Sequence, residues 1–297
     1  MSMIQSRVPA AVLAALLALA AGPVLAQAAA SAVPATMLPA TKVLDVRGVR
    51  IGEGAPKTIV PITATNAEEA LAQAARIGAN ADTDLAEWRI DYLDIALDGK
   101  ALARLGPQVA RALNGKPMIL TFRTQAEGGT KPIADADYGK LYATLLKARF
   151  ADLIDVEMFR DEAVVKRLVA QAHAAGVYVV MSSHDFKNTP DTAEIVARLR
   201  SQQALGADVL KIAVMPHDAG DVLKLLDATW QLRASSDRPL LTMSMGGTGV
   251  VSRLSGETFG QALTFGMLGK ASAPGQVEVG RLRAVLDTIH QASSAAR

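Results

Sequence analysis

The sequence has no cysteine, so it can form neither a disulfide framework nor a zinc–thiolate site. It also lacks a cluster of basic residues, because its lysines and arginines are scattered and the formal net charge is only +2. Neither a nucleic acid nor an anionic membrane surface is therefore expected as a partner. Beyond the N-terminal segment no apolar run is long enough to span a bilayer. We expect no membrane association once that segment is removed.

Residues 1–26 have the pattern of a cleavable signal peptide. One basic residue precedes an apolar stretch over residues 8–21, and Gly22-Pro23 ends that stretch. Val24-Leu25-Ala26 then gives the small-x-small pattern of a signal peptidase site. The apolar stretch is too short to cross a bilayer comfortably, which disfavours the alternative of an uncleaved anchor. We expect cleavage after Ala26 and a periplasmic protein.

The mature chain is predicted to be a spacer followed by one domain. Residues 27–41 are rich in alanine, proline and serine and carry no charge, which is typical of a disordered spacer. Residues 42–297, roughly 255 in number, fit one large α/β domain.

After a predicted hairpin at residues 43–54, short β-branched runs alternate with longer segments of helical period. The predicted strands are residues 58–64, 84–92, 117–123, 153–159, 177–184, 209–215, 240–245 and 263–268. The predicted helices include residues 67–77, 138–149, 161–175, 192–205 and 221–233, with Asn66 and Thr189 as N-caps and Gly78, Gly176 and Gly206 as C-caps. Eight alternations favour a (β/α)8 TIM barrel, and no glycine-rich phosphate loop follows the first strand.

Polar side chains share one face on five of these strands. They alternate with apolar residues, as in Glu87-Trp88-Arg89, Thr121-Phe122-Arg123 and Asp155-Val156-Glu157, and Ser182 and His184 likewise share a face. In a barrel the inward positions near the C-terminal ends of the strands line the site. Internal ion pairs that only fill the barrel are the alternative, and they explain five strands poorly.

Lys211 lies inside a run that reads as a buried strand, Val209 to Met215. A buried ammonium is costly unless it is paired or loses its proton, and a neutral amine in an apolar cleft can attack a ketone to form an imine. The alternative is a core lysine paired with Asp155 or Glu157. A histidine near the amine could move the protons, because its pKa of about 6.5 lies near working pH.

His184 ends the fifth strand, next to the strand of Lys211, and is the first candidate for that histidine. His217, just past the sixth strand, is the competitor, whereas His173 and His290 fall in helices and are expected to be solvated. Asp185 receives no role.

An ordered set of motifs resembles type I 3-dehydroquinate dehydratase from about residue 43 to 292. The motifs are Glu87-Trp88-Arg89, Thr121-Phe122-Arg123, Glu127-Gly128-Gly129, Ser183-His184-Asp185-Phe186, 211–215, 242–245, 249–254 and 270–276. Each motif alone is weak, and the ordered set is specific. The resemblance implies a (β/α)8 barrel that converts 3-dehydroquinate to 3-dehydroshikimate through a lysine imine, without a metal or organic cofactor. It also suggests a homodimer.

The resemblance implies a role for nine residues. Lys211 forms the imine, His184 is the general acid and base, and Glu127 pairs with His184, although Glu157 could compete for that pairing. Arg253 binds the substrate carboxylate. The remaining predicted substrate-binding residues are Glu87, Arg89, Arg123, and Ser272 with Gln276 on a segment predicted to cover the imine.

The chain departs from the family pattern at two places. Pro61 stands where many members have serine, and Gly246-Gly247 stands where others often have a more polar pair. Neither departure touches the imine, histidine or carboxylate-binding positions. Two other functions stay open: a different imine-forming aldolase or lyase on a similar barrel, or a non-catalytic periplasmic binder of hydroxy acids. Export favours quinate or shikimate breakdown over biosynthesis.

Overall fold

The computed structural model describes residues 38–295. The predicted signal peptide and most of the predicted spacer lie outside the described residues. Within residues 38–41, the carbonyl of Pro39 accepts a hydrogen bond from Arg233 over 2.6 Å. The next residue, Lys42, bonds through its backbone N–H to the carbonyl of Asp237. The end of the spacer is thus held against the domain.

A two-stranded antiparallel hairpin precedes a curled parallel sheet. The hairpin consists of β1 Leu44–Val46 and β2 Val49–Ile51. The sheet strands are β3 Lys57–Ile62, β4 Leu85–Arg89, β5 Met118–Thr121, β6 Leu153–Glu157, β7 Tyr178–Asp185, β8 Val209–Val214, β9 Leu240–Ser244 and β10 Leu263–Met267. A short strand, β11 Val277–Glu278, pairs with β10 beyond them.

Each strand from β3 to β8 pairs in parallel with the next strand of the chain, and β10 pairs in parallel with β3. The gap between β9 and β10 is narrow. Leu240 and Gln261 form an isolated parallel bridge, and the Ala262 N–H donates to the Leu240 carbonyl over 2.9 Å. The sheet therefore closes on itself, and the predicted barrel with an N-terminal hairpin is confirmed.

The helices of the described chain are α1 Ala67–Ala79, α2 Gly99–Ala112, α3 Asp135–Lys147, α4 Glu162–Ala174, α5 Thr192–Ala204, α6 Ala219–Arg233, α7 Val250–Leu254 and α8 Val279–Ala295. None of them, within residues 38–295, has both the length and the apolar character needed to cross a membrane.

Two predicted helix caps are wrong and three are confirmed. Asn66 caps α1 through its side chain, and Gly176 and Gly206 follow the ends of α4 and α5 in left-handed conformations. Gly78, by contrast, lies inside α1, whose C-cap is Asn80. Thr189 does not cap α5 either, because its hydroxyl donates to the Met215 carbonyl.

Alternation along the strands divides the apolar residues into two layers. Outward residues such as Trp88, Leu120, Ile154 and Ile212 pack against the helices and are buried. The first inward residues, among them Leu85, Ile119, Leu153, Val180 and Val209, form a second cluster with Leu44, Val46 and Ile51 of the hairpin. The hairpin thus closes the N-terminal end of the barrel, and nearer the C-terminal ends the inward residues include many polar ones, such as Glu87, Arg123 and Lys211.

Candidate active site

A cavity opens at the C-terminal ends of the barrel strands. All nine predicted site residues line it: Glu87, Arg89, Arg123, Glu127, His184, Lys211, Arg253, Ser272 and Gln276. The structure therefore brings the whole predicted set to one place.

Lys211 is buried in β8 and projects its amine into this cavity. Its Nζ lies 2.8 Å from Oδ2 of Asp155 and 3.4 Å from Oε1 of Glu87. The ring of Phe265 lies 5.0 Å from the same nitrogen. The expectation of an amine desolvated among apolar residues is thus only half right, because the amine is buried but has carboxylate partners. Of the two alternative partners considered from sequence, Asp155 is the one in contact.

Asp155 contacts three polar side chains inside the barrel. Besides Lys211 it pairs with Arg123, whose Nη2 lies 2.7 Å from Oδ1, and it accepts a hydrogen bond from the Ser182 hydroxyl over 2.6 Å. Burial opposes its ionisation, but the cations of Arg123 and Lys211 hold the pKa of Asp155 below its usual range. The carboxyl is therefore an anion at any working pH.

Glu157 was considered from the sequence as an alternative partner of His184, but its carboxylate has other partners. Its carboxylate accepts hydrogen bonds from Nη1 of Arg123 over 3.0 Å, and from both the backbone N–H and the hydroxyl of Thr124. It makes no contact with His184. Glu157 instead fixes Arg123 and the start of the loop that carries Glu127.

Glu127 is the partner of His184, with 2.8 Å between Oε2 and Nδ1. Burial raises the pKa of Glu127 to about 8. Burial, together with the cations of Arg123 and Lys211, lowers the pKa of His184 well below 6.5. Both pKa shifts favour the neutral form of the group, so the imidazole is an unprotonated base. The ring of Phe186 stacks on it, with a 16° interplanar angle and 6.2 Å between ring centroids.

The other three histidines lie away from the cavity. His217 is exposed and sits 3.2 Å from Asn188. His173, which lies on α4, pairs with Asp208, and His290, which lies on α8, pairs with Glu257. The competitor considered from sequence is therefore not placed for chemistry in this cavity.

The two glycines after Glu127 allow the close approach expected of them. Gly128 has φ +82°, and a Cβ there would lie 2.3 Å from the ring of Phe186. A Cβ on Gly129 would lie 1.9 Å from the Arg123 carbonyl oxygen. Side chains at these positions would push the loop, and Glu127 with it, away from His184.

Arg89 is held by Asp91, a buried carboxylate just beyond β4. Its Nε and Nη2 donate to the two oxygens of Asp91 over 2.7 and 2.9 Å. Asp91 also accepts from the backbone N–H groups of Arg123 and Thr130, at the two ends of the loop that carries Glu127. One carboxylate thus fixes both a cavity arginine and this loop.

Arg253 is a buried cation whose charge is not matched by any acid in residues 38–295. Its guanidinium lies 3.2 Å from the Pro274 carbonyl and 3.6 Å from the sulfur of Met243, and its Nε has no hydrogen-bond partner among those residues. Burial lowers its pKa to about 10, so it stays protonated at neutral pH. An unmatched cation on a cavity wall is suited to bind an anionic ligand.

Ser272 and Gln276 hold their segment together, since Gln276 accepts from the Ser272 backbone N–H over 2.8 Å. The segment packs closely on the loop after β9, where a Cβ on Gly275 would lie 2.3 Å from the Gly246 carbonyl oxygen. The Gly246-Gly247 departure thus coincides with a backbone contact to this segment.

Some functional features were missed from sequence. Asp155 was expected on an inward face, but the anchoring roles of Asp155 and of Asp91 were not predicted. The apolar wall of Met243, Met245 and Phe265 was also missed. The alternation along β9 and β10 could have indicated this wall, because it places the three residues on the same face as the predicted polar groups of the other strands.

Comparisons with known proteins agree with this geometry. A family model described as type I 3-dehydroquinase matches residues 58–293. The catabolic 3-dehydroquinate dehydratase of Acinetobacter baylyi is 48% identical over 244 residues, which cover 82% of this chain and 90% of the relative. The 3-dehydroquinate dehydratase of Bacillus subtilis is 46% identical over 250 residues, which cover 84% of this chain and 98% of the relative.

A solved structure gives the same result at the level of the fold. The type I 3-dehydroquinate dehydratase of Clostridium difficile, with covalent modified comenic acid, superposes with a TM-score of 0.82 at 40% identity. The match covers 85% of this chain and 99% of that one. The matches favour a dehydratase over the aldolase and binding-protein alternatives. The chain therefore belongs to the type I 3-dehydroquinase family.

Proposed function

We propose that this protein dehydrates 3-dehydroquinate to 3-dehydroshikimate through an imine on Lys211. The observation that carries the proposal is the arrangement of three groups around one cavity: the Lys211 amine, the neutral His184–Glu127 pair and the unmatched Arg253 cation. An amine that can capture a ketone, a base and a carboxylate site are what this reaction needs.

Imine formation conserves charge at Lys211. The ammonium first gives up one proton, so that the nitrogen lone pair can form the C–N bond to the ketone carbon. The C–O bonds then break and the oxygen leaves as water, so that, counted from the ammonium, the products are a protonated imine and one water and the nitrogen has lost two of its three protons. The protonated imine is an electron sink that acidifies the adjacent C–H. Its positive charge stands where the ammonium stood, facing Asp155 and Glu87.

His184 then removes the adjacent proton and returns a proton to the departing hydroxyl group. Its depressed pKa leaves it unprotonated and ready to accept at neutral pH. In this proposal Glu127 Oε2 accepts a hydrogen bond from the Nδ1–H of the neutral ring, which leaves Nε2 without a proton and able to accept one. Hydrolysis of the product imine regenerates the Lys211 amine.

Arg253 binds the carboxylate of the substrate in this proposal. Glu87, Arg89 and Arg123 bind its hydroxyl groups and carbonyl region. The segment of Ser272 and Gln276 covers the ring and limits access of water to the imine.

Turnover is tested by the absorbance of the conjugated enone in the product. The wild-type protein should generate it from 3-dehydroquinate, and Lys211→Ala should not. His184→Ala should bind substrate covalently through Lys211 yet turn over poorly. A wild-type protein without enone formation would overturn the proposal. The structure of the Clostridium difficile relative contains covalent modified comenic acid, which supports covalent chemistry for this fold.

We also propose that the protein is exported to the periplasm and serves quinate or shikimate breakdown. The apolar run at residues 8–21 and the Val24-Leu25-Ala26 site support export, and the catabolic description of the Acinetobacter baylyi relative supports the pathway. Mass analysis of the protein from a periplasmic fraction should give a mature N-terminus at or near Gln27. Retention of Met1 would contradict export.

The homodimer stays a prediction that rests on the family resemblance. Sedimentation analysis of the mature protein tests it, with a species of twice the chain mass expected.

A further inference from the structure

We propose that Asp155 is a positioning residue for the reaction: it holds Lys211 Nζ from behind the cavity and keeps the imine nitrogen protonated. The inference deepens the proposed function and rests on the imine at Lys211. It assigns a task to a carboxylate that does not itself line the cavity.

The position of Asp155 sets it apart from Glu87, the other acid near the amine. Asp155 is 1% exposed and approaches Nζ from the barrel interior, whereas Glu87 lines the cavity from which the substrate arrives. The Asp155 contact is also the shorter one, 2.8 Å against 3.4 Å. A ketone entering the cavity can therefore react with the amine without displacing Asp155.

The carboxylate of Asp155 is fixed before any substrate binds. Arg123 lies 2.7 Å from Oδ1, the Ser182 hydroxyl donates to the same oxygen, and Oδ2 is left to Lys211. Asp155, Ser182 and Lys211 lie on the consecutive strands β6, β7 and β8, and Ser182 pairs in register with Lys211. The negative charge is thus held by the barrel frame at one defined place.

A fixed anion at this place matters most after the imine has formed. The ammonium has three N–H groups and the protonated imine has one, so the nitrogen keeps a single donor for Asp155. Loss of that last proton would remove the electron sink and slow the abstraction of the neighbouring C–H. A nearby anion favours the charged form of the nitrogen and so opposes this loss.

The test uses the mature enzyme carrying Asp155→Asn, with Asp208→Asn as the matched control. Asp208 is also a buried, ion-paired carboxylate, 5% exposed, but it pairs with His173 away from the cavity. Asp155→Asn should lower kcat by on the order of 10²-fold, the usual cost of removing one preorganised electrostatic group, while KM changes little. Asp208→Asn should retain kcat.

A pH profile separates positioning from loss of structure. Borohydride reduces the protonated imine, so trapping on Lys211 should stay constant from about pH 6 to about pH 9 in the wild type. In Asp155→Asn it should decline as the pH rises. A kcat equal to that of Asp208→Asn, or a trapping profile identical to the wild type, would overturn the inference.

Two further results keep the inference distinct from the proposed function. If the wild type itself gives no adduct, the proposed function fails and not the inference alone. If Asp155→Asn does not fold, Ser182→Ala replaces it, since loss of that hydroxyl loosens the same carboxylate. Ser182→Ala should show a smaller fall in kcat and the same pH-dependent decline in trapping, and an unchanged profile would count against Asp155.

Discussion

At the scale of single residues, the chemistry depends on charges that the barrel keeps in unusual states. His184 and Glu127 are the main example, because burial disfavours a charge on either group. Arg253 is the opposite case, a cation that the fold buries without a carboxylate partner among residues 38–295. The two cases lead to different measurements.

The first prediction concerns the pH dependence of the His184–Glu127 pair. Glu127 should ionise near pH 8, where its raised pKa lies, and the new carboxylate should change the electronic environment of the bonded imidazole. NMR of the His184 ring should show an inflection near that pH in the wild type and none in Glu127→Gln. A protonated His184 ring at its ordinary pKa of about 6.5 would contradict the account.

The second prediction sets function against stability at Arg253. Arg253→Met should raise KM by about 10- to 100-fold, since a charge-assisted contact is worth roughly 1.5–3 kcal/mol. The same change should raise the thermal midpoint of the ligand-free protein, because an uncompensated buried cation is removed. Enone kinetics and thermal unfolding measure the two effects. A variant with unchanged KM would exclude Arg253 as the carboxylate ligand.

At the scale of elements, the loop from Thr124 to Lys131 brings Glu127 to His184. Asp91 and Glu157 bond to its backbone, and Gly128 and Gly129 allow it to pass close to Phe186 and Arg123. The loop also shows what sequence could predict. Its glycines indicated close approach, but the anchoring carboxylates come from two other strands, and one sequence does not give such distances.

The third prediction tests this loop with two left-handed glycines. Gly128→Ala meets the Phe186 ring and must also adopt φ +82°, whereas Gly115→Ala, at φ +89°, has nothing within 4 Å. Both variants should lose about 1–2 kcal/mol of stability for the left-handed conformation. Only Gly128→Ala should lose kcat as well, because Glu127 shifts away from His184. Equal kcat in the two variants would contradict this.

Other elements differ from the predicted bounds and helices. Residues 90–92 continue the alternation of β4 and were predicted as strand, yet they form a 3-10 turn that directs Asp91 back to Arg89. Helix α2 was not among the predicted helices. It contains Pro107, which breaks the usual helical pattern and is nonetheless accommodated within Gly99–Ala112.

At the scale of the whole molecule, the barrel separates stability from chemistry. The N-terminal end holds an apolar cluster closed by the hairpin, and the C-terminal end holds the charged cavity. The fold class could be predicted from the strand period, and the convergence of the nine named side chains on one cavity could be predicted from the order of the motifs. The pairing of Lys211 with Asp155 could not, since it joins side chains of β8 and β6 across β7.

The fourth prediction follows from that separation. Ile51→Ala in the hairpin should lower the free energy of unfolding by about 2–5 kcal/mol, because Ile51 is fully buried in the closing cluster. KM should not change, since the cavity lies at the other end. Denaturant unfolding measures the loss, and Leu223→Ala, at a residue that is 66% exposed, serves as the control with little change. A large change in KM would show that the two ends are coupled.

Imine formation at Lys211 is tested by borohydride reduction of the mature protein in the presence of 3-dehydroquinate, followed by peptide mass mapping. We expect one stable adduct on the peptide that contains Lys211, absent in Lys211→Ala and still present in His184→Ala. Turnover without any reducible adduct, or an adduct on a different lysine, would contradict it.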